Sequence, residues 1–287
     1  MKSTFCSQIK LSNPIGKLAY NYRRLISSHK HYEMTKALNL LFITITCTFF
    51  ACASGRPVVR QTGEQVAMSN NLSHILIGET ATYKKGKLLY KDNFDSGLKN
   101  WISESRPTPN SKITVKDRQL VIDVEGGATV WFNKKLSGNI LIEYKRKVIT
   151  DKGINDRLSD LNQFWMANDP KNKNLFTRTG VFSDYDSLQL YYVGFGGNSN
   201  TTTRFRKYTG TGERVLYRDL TDKAHLLEPN KEYLLTITVY KGTTKFFVNK
   251  KELFSFEDPE PLKQGYFGFR TTQSRQCVDD FKVYELK

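Results

Sequence analysis

Between Asn162 and Tyr208 the chain concentrates the three kinds of group that hold a sugar: aromatic faces, side-chain amides and paired charges. The runs are Asn162-Gln163-Phe164-Trp165-Met166-Ala167-Asn168-Asp169-Pro170, then Ser183-Asp184-Tyr185-Asp186-Ser187-Leu188-Gln189-Leu190-Tyr191-Tyr192, then Thr203-Arg204-Phe205-Arg206-Lys207-Tyr208. Flat rings stack on the C–H faces of pyranoses, while amides and guanidinium groups satisfy hydroxyls and carboxylates. Side chains alternate along a strand, so the pattern predicts Gln163 with Trp165, Gln189 with Tyr191, and Arg204 with Arg206 and Tyr208 on exposed faces of three strands. A solvated face with incidental aromatics is the competing reading.

Two chemistries can be asked of such a surface. A glycosidase needs two carboxyl groups across the scissile bond, one with a raised pKa. Glu143, Asp160, Asp169, Asp184 and Asp186 are the candidates, with Asp184 and Asp186 favoured by their place in the cluster and Glu143 set opposite Ile142 and Tyr144 on its strand. A polysaccharide lyase instead needs a cation or amide to neutralise a uronate carboxylate and a Tyr or His to move the proton. Arg204 or Arg206 with Asn162 suit the first task, and Tyr191 or His225 the second. Stacking by Tyr191 and a loop role for His225 compete with catalysis.

The elements that would carry these residues are β-strands. From Leu88 onward, short runs rich in Val, Ile, Phe and Tyr alternate with turn residues: 88–92, 113–115, 120–124, 129–132, 140–148, 164–167, 188–193, 203–208, 233–240, 244–248, 252–256, 266–270 and 281–285. Lys116–Gln119, Lys241-Gly242 and Asn249–Lys251 read as hairpin links, and long amphipathic helices are absent. Two packed antiparallel sheets bury such strands. If the first and last strands pair, Asp92 and Asp95 could meet Asp279 and Asp280 as oxygen ligands for a structural calcium; no other cofactor is called for.

Upstream, Met34-Thr35-Lys36 followed by the apolar run 37–51 reads as a signal peptide, too short to span a bilayer. Cys52 after Ala51 resembles a lipobox, which would make the cysteine a diacylated first residue anchoring the protein to a membrane; cleavage after Ala53 is the alternative. The expected division is therefore 1–33 as a gene-model extension, 34–52 as signal, 53–79 as tether and 80–287 as one jelly-roll domain. The expected compartment is the outer membrane or periplasm of a Gram-negative bacterium. Cys277 would remain alone, so no disulfide framework is implied.

The whole chain carries 44 Lys/Arg against 28 Asp/Glu, and residues 1–52 hold seven of the bases and one of the acids, leaving a formal charge of +10 downstream. With no helix-turn-helix, zinc spacing or compact basic tract, nucleic acid is not an expected partner, whereas an anionic polysaccharide is.

Three segments carry a resemblance: Leu88–Asp95, the hairpin Val248–Phe254, and Gly265-Tyr266-Phe267-Gly268-Phe269-Arg270 with Val278–Tyr284. Together they resemble the concanavalin A-like lectin/glucanase superfamily over residues 80–287, which implies a jelly-roll sandwich whose concave sheet binds glycans. The block 162–206 is similar to the YesU-like exported proteins that accompany pectin and glycan degradation. On this resemblance Arg270 joins Asn162, Gln163, Trp165, Gln189, Arg204 and Arg206 as expected substrate-binding residues. The Glu-x-Asp-x-x-Glu motif of laminarinase-type hydrolases is missing.

Overall fold

A computed structural model describes residues 74–75 and 83–287. The strands are β1 (His74–Ile75), β2 (Tyr83–Asp92), β3 (Trp101–Ser105), β4 (Lys112–Lys116), β5 (Gln119–Phe132), β6 (Leu136–Ser137), β7 (Ile140–Ile149), β8 (Leu161–Asn168), β9 (Gln189–Gly196), β10 (Thr202–Thr209), β11 (Arg214–Leu220), β12 (Tyr233–Tyr240), β13 (Thr243–Val248), β14 (Lys251–Glu257) and β15 (Gln264–Leu286). All pairings are antiparallel, as the strand and hairpin pattern leads one to expect. Three expected hairpins close through consecutive left-handed residues: Asp117 and Arg118 (φ 52° and 59°), Lys241 and Gly242 (47° and 86°), and Asn249 and Lys250 (50° and 69°). Paired positive φ is what a two-residue turn needs to match the twist of its strands.

β5 and β15 are each one strand where two shorter ones are expected, and both serve two sheets. The first part of β15 lies between β8 and β5, and its later part pairs β7 and β2. The change of sheet follows a register shift between Thr272 and Ser274, where Gln273 takes φ 44°. A bulge there bends the strand without breaking the ladder. The front sheet runs β11-β10-β9-β8-β15, and the back sheet runs on through β7-β12-β13-β14.

Between the sheets sits a continuous aromatic and aliphatic core. Phe205 of β10 stacks on Phe254 of β14 (6.0 Å), Phe195 of β9 meets Tyr233 of β12 (5.1 Å), and Trp165 of β8 donates its indole N–H to Thr244 of β13 (2.9 Å). Each fully buried side chain of this size contributes about 1.5–3 kcal/mol by leaving water. The back sheet alternates cleanly: in β7, Tyr144, Arg146 and Val148 face in, and Glu143, Lys145 and Lys147 face out.

The front sheet has no such alternation, because the segment 169–188 folds across its outer side and buries Leu175, Tyr185 and Leu188 against Trp131, Phe164, Tyr192 and Tyr208. Asp169, Asn172 and Asn174 each accept a hydrogen bond from the amide two residues on, so the segment leaves β8 as a chain of Asx turns. Arg178 then locks it, pairing with Asp169 (2.6 Å) and donating to the carbonyls of Leu175 and Asp184. Buried Glu104 of β3 holds it down by accepting from the Trp131 indole (2.7 Å), the Tyr185 hydroxyl (3.0 Å) and the Arg178 amide (2.7 Å).

Candidate functional site

Residues directly paired across antiparallel strands share a face. The register therefore lines up Arg204, Gly194, Asn162 and Arg270 as one row across the outer side of the front sheet, with Arg206, Tyr192 and Phe164 in the next. At the edge of the folded-over segment these rows open into a cavity of about 350 Å³. Arg204, Arg206, Arg270, Asn162, Tyr192, Asp160, Thr272 and Phe182 line it.

The cavity is electropositive and incompletely satisfied. Arg204 spends its Nε on Asp219 (2.9 Å), and Asp219 also accepts from Thr202. Burial alone would raise the pKa of Asp219, but those two hydrogen bonds outweigh it and hold the carboxyl below its ordinary range. Arg270 is buried, donating from Nη1 to the Gly180 carbonyl (2.7 Å) and from Nη2 to the Thr272 hydroxyl (3.2 Å), with Phe182 and Tyr185 rings beside it (5.5 and 5.4 Å). It has no carboxylate partner among the described residues, and burial lowers its pKa. Arg206 has none either, and its Nε is buried and unpartnered. Asn162 gives its N–H to Asp160 (3.2 Å) and keeps a buried, unpartnered Oδ1. Asp160, the lone carboxylate among the described residues lining the cavity, is tied to Arg157.

Two glycines make room. A Cβ on Gly194 would lie 2.4 Å from the Tyr192 hydroxyl, so its absence lets that phenol reach into the arginine row. A Cβ on Gly127 would meet the Gly180 carbonyl at 2.1 Å and the Arg270 guanidinium at 2.7 Å. Burial raises the Tyr192 pKa, against a smaller opposing pull from Arg206 and Arg270. Beneath the floor, buried Arg146 donates to the carbonyls of Asn162 (2.7 Å) and Arg270 (3.2 Å), which fixes the two strands that present those side chains.

Four of the sequence-predicted binding residues thus share one cavity: Asn162, Arg204, Arg206 and Arg270. The other three, Gln163, Trp165 and Gln189, do not join them, nor does the catalytic candidate Tyr191. Gln163 and Trp165 point between the sheets, Gln163 donating to the Val193 carbonyl (2.9 Å) and accepting from Tyr144 (2.9 Å). Tyr191 also faces inward, its hydroxyl bonded to Asp258. For β8 and β9 the expected facing is off by one residue, which moves every side chain to the other side of the sheet. Gln189 lines a different cavity.

The catalytic candidates fare similarly. Asp184 caps its own loop through the Thr179 hydroxyl (2.7 Å), and Asp186 is gripped by Nε and Nη2 of Arg214 (2.6 and 2.7 Å). Glu143 lies on the outside of the back sheet, next to Lys85 (3.4 Å). His225 pairs with Asp222 (2.7 Å) in a single 3-10 turn, Lys223–His225, outside the cavity. The four aspartates of the calcium reading already have partners within the chain. Although β2 and β15 do pair, the Asp92 carboxylate is filled by the Phe94 amide, the Asn100 amide group and the Trp101 indole (2.8–3.0 Å). Asp95 is bound to Arg118, Asp280 to Lys282 (2.7 Å), and Asp279 accepts from the Asp280 amide (2.6 Å). No three His, Cys, Asp or Glu side chains converge as a metal site among the described residues. Cys52 and the boundaries expected after residues 33, 52 and 79 lie outside the described residues. Cys277 is buried and free, with its thiol pKa raised by that burial.

Tyr192, Phe182 and Thr272 were not among the sequence candidates. The Tyr191-Tyr192 pair announces that one ring faces each way, and only the register shows which.

Residues 122–281 match the family described as Domain of unknown function (DUF6250). None of the curated protein sequences matches the chain. Among solved structures it is similar to a protein of unknown function with a galectin-like fold from Bacillus subtilis, at 21% identity and a TM-score of 0.59, over 71% of this chain and 98% of that one. It is also similar to the endo-beta-1,3-glucanase of Pyrococcus furiosus, at 11% identity and a TM-score of 0.50, over 75% of this chain and 99% of that one. The shared feature is the fold, an all-β concanavalin A-like jelly roll.

Proposed function

The chain belongs to the DUF6250 family, and from that premise we propose that it is an exported protein, lipid-anchored through Cys52, that grips a uronate-containing polysaccharide in the arginine cavity. The observation that carries this reading is that Arg206 and Arg270 face one cavity without a carboxylate partner among the described residues. Unpaired guanidinium groups in a partly dry site are costly until an anion arrives, and each charge-assisted hydrogen bond then contributes about 1.5–3 kcal/mol. Asn162 Oδ1 and the Tyr192 hydroxyl supply an acceptor and a second polar contact for sugar hydroxyls. The glucanase on the same fold supports carbohydrate as the ligand class. Kinship with YesU-like proteins of pectin degradation belongs to the same reading.

Calorimetric titration with tri-galacturonate and with neutral galactotriose tests it. The acidic sugar is expected to bind at least tenfold more tightly, and Arg206→Ala to remove that preference. Equal affinity for both sugars would sink the proposal. The anchor is tested separately by Cys52→Ala, which is expected to move the protein from the membrane to the soluble fraction.

A second reading, β-elimination, is favoured over two-carboxyl hydrolysis by the Tyr192 hydroxyl among the arginines and by Asp160 being the lone lining acid. With the uronate carboxylate neutralised, the Tyr192 phenolate takes the C5 proton. The C5–H electron pair forms the C4=C5 double bond, the C4–O bond breaks, and the departing oxygen takes a proton from water. Because burial keeps the phenol above its ordinary pKa, the active base grows with pH, so ultraviolet absorbance from unsaturated product should rise steadily into the alkaline range and vanish in Tyr192→Phe. Binding without any such product leaves the protein a non-catalytic glycan receptor.

A further inference from the structure

At the other end of β9 and β10 lies a second cavity, of about 270 Å³. Gln189 pairs with Thr209 there, five residues along β9 from the Gly194–Arg204 pair, or about 17 Å of strand. It opens on the inner side of the sheet, at the sandwich edge, where the segment 258–262 crosses from the back sheet. Its chemistry differs from that of the arginine cavity.

Its charges are neutralised within the chain. Lys207 pairs with buried Asp258 (2.8 Å) and donates to the Glu260 carbonyl (2.9 Å). Asp258 also accepts from the Tyr191 hydroxyl and the Glu260 amide (2.9 Å). This cluster ties the segment 258–262 to β9 and β10 and leaves no free cation among the described residues lining the cavity to hold an anion. Gln189 and Tyr217, by contrast, line the cavity with no side-chain hydrogen-bond partner among the described residues. Tyr217 is 38% exposed although its ring rests on Phe256 at 4.1 Å, so one aromatic face is backed and held while the rest stays open. A fixed ring beside a free amide, with the exposed Glu260 as an added acceptor, is complementary to the C–H face and hydroxyls of a sugar. Glu260 repels an acidic one.

We propose that this cavity is a second glycan subsite, selective for a neutral, hydroxyl-rich sugar, with Tyr217 as the stacking platform and Gln189 as the hydroxyl-binding amide. Its volume, close to the lower end of the ~300–1,000 Å³ of small-molecule pockets, suits a single sugar ring of a longer chain. The subsite is independent of the acidic-glycan reading, since it shares no lining residue with the arginine cavity.

Calorimetry of the purified protein with laminarihexaose and cellohexaose tests it, with tri-galacturonate as the contrast. At least one neutral hexasaccharide is expected to bind. Tyr217→Ala and Gln189→Ala should each weaken that binding about tenfold, Tyr217→Phe should retain most of it, and none should change tri-galacturonate affinity. Arg206→Ala should show the opposite pattern, so a failure of the arginine cavity and a failure of this one are read separately. Unchanged melting temperatures confirm folding, as expected for partly exposed residues. The proposal is overturned if neither hexasaccharide binds, or if Tyr217→Ala binds the neutral sugar as well as wild type.

Discussion

The inner and outer faces of β8, β9 and β10 carry similar residue types and use them in opposite ways. Inward, Gln163 is bonded to Tyr144 and Val193, Trp165 to Thr244, and Tyr191 to Asp258. Outward, the Arg206 Nε, the Asn162 Oδ1 and the Tyr208 hydroxyl are buried without partners among the described residues. Amides and aromatic hydroxyls on the first face complete a core; on the second they are held ready for something else. Residue type alone therefore does not mark a binding face in this molecule. On these three strands the balance of donors and acceptors separates the faces, because a buried polar group left open costs about 1–3 kcal/mol unless a ligand meets it.

The strongest way to break the comparison is to remove an inner residue. Trp165→Ala deletes a fully buried indole and leaves the Thr244 hydroxyl without its donor, so urea denaturation should show a loss of roughly 3–5 kcal/mol. If stability holds and sugar affinity falls instead, Trp165 faces the ligand and the two faces have been exchanged.

Next in size is the clasp that turns the outer face into a cavity. Asp169→Ala leaves the largely buried Arg178 unpaired and should cost about 3 kcal/mol. Burial pushes the Asp169 pKa up, but Arg178 and backbone amides outweigh it, and the net shift is downward. A depressed folded-state pKa means the contribution is fully present above the unfolded value of about 3.9 and is lost as pH falls through the folded one. Wild type should thus lose more stability on acidification below pH ~4 than Asp169→Ala does. Parallel acid-denaturation curves for the two proteins would show that the clasp contributes nothing.

The strands themselves were legible because β-branched and aromatic runs between turn residues leave few alternatives. Where the reading missed, the cause is identifiable. Glu125-Gly126-Gly127-Ala128 looks like a break, yet the ladder runs through it, since Gly127 is needed for the close approach of Gly180 and Arg270. Trp101–Ser105 and Arg214–Leu220 went unseen because both mix charged and polar residues into the run, as the peripheral strands of a sheet often do. Glu143 on the back sheet alternates correctly, but nothing local tells which sheet bears the cavity. The facing of β8 could not be read at all: seven of its eight residues are buried, and a strand covered on both sides has no period to detect. On β10, where Arg204 and Arg206 flank buried Phe205, alternation survives and the facing of the two arginines was right, while Tyr208, expected to be exposed beside them, is buried under the folded-over segment.

The smallest effect separates those two arginines, which sequence alone treats as equivalent. Arg204 already uses its Nε on Asp219 (2.9 Å), and its side chain is about one-third exposed. Lysine there keeps both the charge and a partner in Asp219, so Arg204→Lys should shift tri-galacturonate affinity by no more than ~0.5 kcal/mol. Arg206 has a buried Nε with nothing to bond, and its planar fork is free to take a carboxylate in two parallel hydrogen bonds. Arg206→Lys retains the charge, loses the fork, and should cost roughly 1.5–3 kcal/mol of binding with melting temperature unchanged. Equal losses in the two variants would mean that the cavity reads charge alone. A larger loss at Arg204 would mean that the ligand displaces Asp219, and that the open guanidinium of Arg206 is not where the anion sits.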